Sequence, residues 1–168
     1  MPVNSQDFVI FSQSVTPDGD EIARRVIVSR AYYGAYHACT EWHASLPVAG
    51  HDIGFKGGAH QTLVNQLVNP DQSCTRDIEL QSKGIGYALR ELRDWRHEAD
   101  YELHLTIDKV RAENAIEKAK LLLQRAAVGG APPPSPPPAP QPPPLPPAPA
   151  APTLTAQATP RPPLRRLK

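Results

Sequence analysis

The sequence predicts an all-α protein, a four- to five-helix up-and-down bundle followed by a disordered proline-rich C-terminal tail. Apolar residues recur at helical spacing over several segments, and no segment shows the sustained alternation typical of a half-buried strand. Of the 21 prolines in the 168-residue chain, 17 lie between Pro132 and Pro163. Proline lacks an amide donor and fixes φ, so we assign residues 1–128 to the bundle and residues 129–168 to the tail.

The first two helices are separated by a turn. A short helix is expected from about Gln6 to Ser14, before Thr16-Pro17-Asp18-Gly19, whose residues favour a turn. The second helix runs from Asp20 to about Leu46 in a segment free of proline. Its small residues, which let a neighbouring helix approach closely, are Ala31, Gly34, Ala35 and Ala38. Its three tyrosines, Tyr32, Tyr33 and Tyr36, are expected in the core or in a dimer interface.

Three more helices follow a glycine-rich loop over residues 47–58. This loop lacks a Gly-Lys-Ser/Thr ending and a preceding strand, so we do not interpret it as a phosphate-binding loop. The third helix should run from Ala59 to Val68, before Asn69-Pro70-Asp71. The fourth should run from Thr75 or Asp77 to Glu102, and the fifth from a Thr106 cap to about Ala127.

Charge and cysteine content narrow the function classes. The chain has a formal net charge of +1, but Arg161, Arg165, Arg166 and Lys168 lie near its end, so residues 1–130 carry −3. A net acidic domain lacks the basic face expected of a duplex-DNA binder, although a few phosphates could still be bound locally. Cys39 and Cys74 have no metal-ligand spacing and are interpreted as free thiols.

The cellular location of the protein is inferred from segments that the sequence lacks. The N-terminal segment has no basic region followed by an apolar run, and no stretch of about 18 apolar residues follows, so we expect a cytoplasmic protein without a membrane partner. We interpret the tail as a spacer with a basic end. The alternative is that its proline runs dock into an aromatic groove of a partner.

The end of the fourth helix concentrates charged residues beside an apolar stripe. The stripe is predicted to contain Leu92, Trp95, Ala99 and Leu103. One flank of it carries Arg93, Arg96, His97, Asp100 and His104. Whatever covers the stripe would therefore lie close to these side chains.

Three segments together resemble the HEPN superfamily, most closely its small stand-alone branch. They are Ser29-Arg30-Ala31-Tyr32-Tyr33 in the second helix, Ala59-His60-Gln61 at the start of the third, and Arg96-His97-Glu98-Ala99-Asp100-Tyr101 near the end of the fourth. The resemblance covers about residues 5–127. It implies a helical bundle that forms a homodimer and belongs to a prokaryotic toxin–antitoxin or defence system.

Activity is also implied by the resemblance. Many HEPN proteins are metal-independent ribonucleases, whereas others pair with a minimal nucleotidyltransferase, in several systems the antitoxin, or bind nucleotides without cleaving RNA. The active ribonucleases carry an arginine, a polar residue and then a histidine four to six residues after the arginine. Arg96-His97 fits the beginning of this motif, but Tyr101 stands where the histidine is expected.

The candidate site follows from these residues. The catalytic candidates are Arg96, His97, Asp100 and Tyr101, and the candidates for RNA or nucleotide binding are Arg93, Arg96, His60 and Arg30. Arg96 is the natural phosphate clamp, because a guanidinium can bind two phosphate oxygens at once. The residues leave the identity of the general base undecided. It could be His97, acting across a dimer seam or together with Arg90, or else His104 or His60. Tyr101 would be a poor base at neutral pH but could donate a hydrogen bond to phosphate.

A structural alternative exists for the same residues. Arg96 and Asp100 are four residues apart and could simply form an ion pair, while His60 could cap the third helix. The protein would then be a non-catalytic module that binds a nucleotide, a nucleotidyltransferase or an effector. No metal or other cofactor is expected, since the six histidines and two cysteines lack the spacing of a zinc site.

Overall fold

A computed structural model describes residues 2–54 and 57–129 of the chain. It contains five helices: α1 (Ser5–Ser14), α2 (Glu21–Ala44), α3 (Ala59–Val68), α4 (Arg76–Tyr101) and α5 (Lys109–Gly129). No strand occurs in these ranges, so the predicted all-α bundle is confirmed. The predicted tail lies outside the described residues, apart from Gly129 at the end of α5. No helix in the described ranges combines the length and the apolar character that a membrane span requires.

Helix α2 forms the centre of the bundle and packs against α1, α4 and α5. Asp20 caps its N-terminus, because the Asp20 side chain accepts a hydrogen bond from the Ala23 amide. Its buried face supplies the largest share of the core, in the order Ile27, Val28, Ala31, Tyr32, Ala35, Ala38, Cys39 and Trp42. The spacing of three and four residues explains why one helical face can be buried against several neighbours.

Helix α4 is antiparallel to both α3 and α5. Near its start, the Gln81 side chain donates to the Arg125 carbonyl over 2.8 Å, and near its end Glu98 pairs with Arg111 over 2.6 Å. On the other side, Ser82 Oγ donates to the Leu67 carbonyl over 2.7 Å. The last turns of α4 therefore lie beside the first turn of α3.

Two glycines set close helix contacts. A Cβ atom on Gly34 would lie 2.6 Å from Val9 Cγ2, and one on Gly86 would lie 2.9 Å from Leu67 Cβ. Such distances are too short for a methyl group. Gly34 therefore lets α1 approach α2, as the small residues of α2 predicted, and Gly86 lets α3 approach α4.

The segment between α4 and α5 differs from the prediction. α4 ends at Tyr101, so Leu103 does not extend the apolar stripe and is 76% exposed, whereas Leu92 and Ala99 are buried. The predicted Thr106 cap is also wrong. Asp108 immediately precedes α5, and its carboxylate accepts a hydrogen bond from the Arg111 amide over 2.7 Å.

A buried arginine explains why α4 ends where it does. Arg25 is 7% exposed and donates to the carbonyls of Glu98, Ala99 and Leu105. The last carbonyls of a helix have no partner within the helix, and here a side chain of α2 supplies one. The chain can therefore leave the helical path after Tyr101 without burying unpaired carbonyl groups.

Candidate functional site

A pocket of about 240 Å³ lies between the first turn of α3 and the last turns of α4. It is lined by Gly58, His60, Gln61, Arg93, Asp94, Arg96 and His97. Arg93, Arg96 and His97 are spaced by three and four residues, so a single face of α4 presents all three. The structure thus brings together four of the predicted site residues, from two helices.

Arg96 is fixed by contacts with two helices. Its Nε lies 2.7 Å from Asp100 Oδ2, an ion pair one turn along α4, although the N–H and the carboxylate are not aligned for a hydrogen bond. Its Nη2 donates to the hydroxyl of Tyr33 in α2 over 2.9 Å. Burial by itself lowers the pKa of Arg96, but Tyr33, Asp100 and Tyr101 outweigh it and raise this pKa above its ordinary value. Arg96 is therefore a permanent, oriented positive charge.

Asp100 contacts Arg96 but does not line the pocket. Its Oδ2 also accepts a hydrogen bond from Ser29 Oγ over 3.3 Å. The ion pair foreseen as the structural alternative for Arg96 and Asp100 is thus present. Asp100 holds the arginine in place, and it is not among the residues that line the pocket.

Arg93 is held by a chain of polar contacts that starts in the loop before α3. It donates to Gln61 Oε1, and Gln61 Nε2 donates to Asn65 Oδ1 over 2.7 Å. Asn65 Nδ2 in turn donates to Asp52 Oδ1 over 2.7 Å. Because a carboxylate only accepts and a guanidinium only donates, the orientation of both amides is determined. Arg93 also contacts Asp94, over 3.0 Å.

His60 packs into a group of aromatic rings on α2. Its Nδ1 lies 2.9 Å from the Tyr32 hydroxyl, and its ring centre lies 4.3 Å from that of Tyr36. Burial, followed by the positive charges of Arg96 and Arg93, lowers the pKa of His60 below its ordinary value. The alternative that His60 caps α3 is wrong, because the position before α3 is Gly58 and the His60 side chain contacts α2.

His97 and Tyr101 contact each other near the end of α4. Their side chains are largely exposed, His97 at 61% and Tyr101 at 60%, and their ring centres are 5.1 Å apart. His97 lines the pocket together with Arg93 and Arg96 of the same chain. The Arg96 guanidinium lies over the Tyr101 ring, 5.0 Å from its centre. Tyr101 thus packs against Arg96 without lining the pocket.

Three other predicted residues do not line the pocket. Arg30 lies over the ring of Tyr33, 5.5 Å from its centre. His104 is exposed beyond α4, 3.6 Å from a Glu102 oxygen. Arg90, the other arginine considered as a partner for His97, lies over the Tyr87 ring at 5.4 Å.

Tyr33, Gln61 and Ser29 hold the site residues in place, and local spacing did not identify them. The only signal was their presence in the HEPN-like segments, because contacts between helices have no fixed sequence separation. Among the described residues, no group of three or more His, Cys, Asp or Glu side chains could hold a metal ion. Comparison of the chain with protein-family models, curated proteins and solved structures finds no match.

Proposed function

We propose that this protein binds RNA through a phosphate group in the pocket between α3 and α4 and cleaves it without a metal ion. One observation carries the proposal: two arginines and two histidines from two helices, Arg93, Arg96, His60 and His97, line the same pocket. Arginine is suited to bidentate phosphate contacts, and histidine to proton transfer near neutral pH.

The chemistry needs three groups. A base must take the 2′-hydroxyl proton, a cation must stabilise the charge that develops on phosphorus, and an acid must protonate the leaving oxygen. Arg96 supports the second role, since Asp100 and Tyr33 orient it before the substrate arrives. A preoriented charge costs little reorganisation during the reaction. Arg93, held by Gln61, adds a second positive charge on the same face of α4.

The biological setting comes from the resemblance to HEPN proteins. We propose a cytoplasmic homodimer from a toxin–antitoxin or defence system, with a nucleotidyltransferase as its antitoxin. Support comes from three segments in the family's order, two of which supply pocket residues, namely His60 and Arg96. Sedimentation analysis of the purified chain tests the dimer, and the presence of a neighbouring nucleotidyltransferase gene tests the pairing.

A second candidate function is favoured by the contacts of Arg96. Two of its nitrogen atoms face Asp100 and Tyr33, and Tyr101 occupies the position at which active HEPN ribonucleases carry histidine. In this case the pocket would bind a nucleotide or the partner protein without cleaving RNA. The bundle would then serve as the non-catalytic half of a complex with a nucleotidyltransferase or an effector.

The experiment that separates the two functions is cleavage of total RNA or tRNA by the purified protein in EDTA. Wild type is compared with Arg96→Ala and His97→Ala, and Arg76→Ala serves as the control because Arg76 is exposed on α4 and pairs only with Glu79 in the described structure. We expect products with cyclic phosphate ends from wild type and from Arg76→Ala, and strongly reduced cleavage by Arg96→Ala. If folded wild type leaves the RNA intact, the ribonuclease proposal is wrong and the binding module is favoured.

A further inference from the structure

We infer that His60 is the base that accepts the 2′-hydroxyl proton, a role that rests on the proposed RNA cleavage. His60 lies in the first turn of α3, across the pocket from the arginines of α4. The resemblance points to the last turns of α4 for a catalytic histidine. The structure instead favours a histidine on α3, whose ring is held by contacts with α2.

The orientation of His60 is set by α2. The Tyr32 hydroxyl lies 2.9 Å from Nδ1, and Tyr32 itself is completely buried, so its position is fixed by the core. Burial raises the pKa of Tyr32, which therefore stays protonated at neutral pH. This contact allows two tautomers of His60, and the active one has Nδ1–H donating to the Tyr32 oxygen, which leaves the lone pair of the imidazole on Nε2. Nε2 is then the nitrogen that takes the proton of the substrate, and Tyr32 stabilises the imidazolium that forms.

The surroundings of His60 favour its neutral form. The titratable and charged groups around it come from α2 and α4 and are Tyr32, Tyr33, Tyr36, His37, Arg93, Arg96 and the other pocket residues Asp94 and His97. The arginines oppose a further positive charge, in agreement with the lowered pKa of His60. A bound phosphate reduces this opposition, because it neutralises the arginines at the moment when His60 must accept a proton.

His97 fits the complementary role. Its side chain is 61% exposed and lines the pocket from α4, next to Arg96 in the chain, whereas His60 lines it from α3. In the reaction, the 2′-oxygen transfers its proton to His60 Nε2 and bonds to phosphorus. The bond from phosphorus to the 5′-oxygen breaks, and this oxygen takes a proton from protonated His97. The products are a 2′,3′-cyclic phosphate and a 5′-hydroxyl, and exchange of protons with water restores both histidines.

The test is the pH dependence of cleavage of an RNA oligonucleotide in EDTA by wild type and His60→Gln. Glutamine can keep a hydrogen bond to Tyr32 but cannot act as a base. His51→Gln is the control, because His51 lies outside the pocket and pairs with Asp71. We expect His60→Gln to lower kcat about 100-fold or more, the range typical of a lost general base, and to leave KM nearly unchanged. We also expect the decline of the wild-type rate at acidic pH to be absent in this variant.

Two outcomes separate this inference from the proposed function. If wild type cleaves RNA and His60→Gln cleaves at a similar rate with the same pH profile, His60 is not the base, while the ribonuclease proposal stands. If wild type does not cleave RNA, both are overturned.

A second measurement uses the wild-type protein and requires no substitution. The ring resonances of His60 are followed by NMR in wild type while a non-cleavable 2′-deoxy oligonucleotide is added. We expect these resonances to shift and the pKa of His60 to rise, because bound phosphate offsets the charges of Arg93 and Arg96. Resonances that do not respond to an oligonucleotide bound by the protein would overturn the assignment of His60 as the base.

Discussion

The hydroxyl of Tyr33 in α2 accepts a hydrogen bond from Arg96 Nη2 in α4 over 2.9 Å. The same tyrosine ring lies under the guanidinium, with its centre 5.5 Å from Arg96 Cζ. Together with the ion pair to Asp100, these contacts orient Arg96 toward the pocket. A side chain as long as arginine loses considerable freedom when it is ordered, and here this cost is met during folding and not when a ligand binds.

Tyr33→Phe tests this orientation. The variant removes the hydroxyl acceptor and keeps the ring, so the packing beneath the guanidinium remains. We expect a loss of about 1 kcal/mol in the free energy of unfolding, the usual net value of one hydrogen bond, and a reduction of RNA cleavage or binding of about tenfold. Denaturant unfolding and the EDTA cleavage assay measure the two effects.

The control for this change is Tyr87→Phe. Tyr87 is exposed, lies under Arg90 in α4 and is outside the pocket. Its variant should match wild type in both measurements. Equal effects of the two substitutions would show that the hydroxyl of Tyr33 does not order the site.

Residue spacing predicted some of these contacts and not others. Arg96 and Asp100 are four residues apart, so helical geometry alone indicated their ion pair. Tyr33 lies 63 residues from Arg96 in the sequence, and only the packing of α2 against α4 brings the two together. The five helices were predictable from their apolar periodicity for the same reason as the ion pair, since both depend on local geometry.

Where the predictions were wrong, a contact with a residue far away in the sequence determines the local structure. Helical periodicity continues to Leu103, but Arg25 takes the carbonyls at the end of α4, and the helix ends at Tyr101. Similarly, His60 lies in the first turn of α3, where a side chain could cap the helix, but its ring contacts the Tyr32 hydroxyl in α2. Neither contact could be inferred from the neighbouring residues alone.

Two glycines in α4 should respond oppositely to alanine. A Cβ atom on Gly84 would meet only Arg125 Nη1 at 3.7 Å, whereas one on Gly86 would lie 2.9 Å from both Leu67 Cβ and Val68 Cγ2. Alanine is preferred to glycine inside a helix by about 1 kcal/mol, so Gly84→Ala should stabilise the protein by up to about that amount. Gly86→Ala should destabilise it by about 1–3 kcal/mol through overpacking.

Urea unfolding of the two glycine variants gives the comparison directly. They differ by two positions in one helix, so the intrinsic preference for alanine is common to both. A Gly86→Ala protein as stable as Gly84→Ala would mean that α3 does not lie as close to α4 as the structure shows.

Arg25 should be among the most sensitive positions in the bundle. Arg25→Met keeps much of the buried volume but removes the donors to the carbonyls of Ala99 and Leu105, whereas the Glu98 carbonyl keeps its hydrogen bond from the Glu102 amide. Each buried carbonyl left unpaired costs about 1–3 kcal/mol, although water can reach the partly exposed ones, so we expect a total loss of about 2–4 kcal/mol. The free energy of unfolding in urea measures this loss.

Arg76→Met provides the comparison for Arg25. Arg76 is 71% exposed and makes an ion pair with Glu79, and an ion pair in contact with solvent contributes little to stability. Its replacement should leave stability nearly unchanged. A loss at Arg25 no larger than that at Arg76 would contradict the role of Arg25 in ending α4.

The stability of the protein should fall as the pH decreases through the range in which histidine titrates. Burial lowers the pKa of His43, whose Nε2 accepts a hydrogen bond from the Gly50 amide over 3.3 Å, and the pKa of His60 is lowered as well. The unfolded chain, with histidine pKa values near 6.5, therefore binds protons before the folded one does. Protonation then favours unfolding, so stability is lost from about pH 6.5 down to the folded-state pKa values and is unaffected above pH 7.5.

The contribution of the carboxylates to the pH dependence of stability can be separated from that of the histidines, because carboxylates titrate at lower pH. Hydrogen bonds and positive neighbours lower the pKa of Glu21, Asp71 and Glu79, and the stability that these groups contribute is lost only when the pH falls below about 4.5. Urea unfolding at pH 7.5 and pH 5.5 therefore isolates the histidines. We expect wild type to be less stable at pH 5.5, and the difference to shrink in His60→Gln and in His43→Gln. A difference that is unchanged in both variants would show that neither histidine is held neutral by the fold.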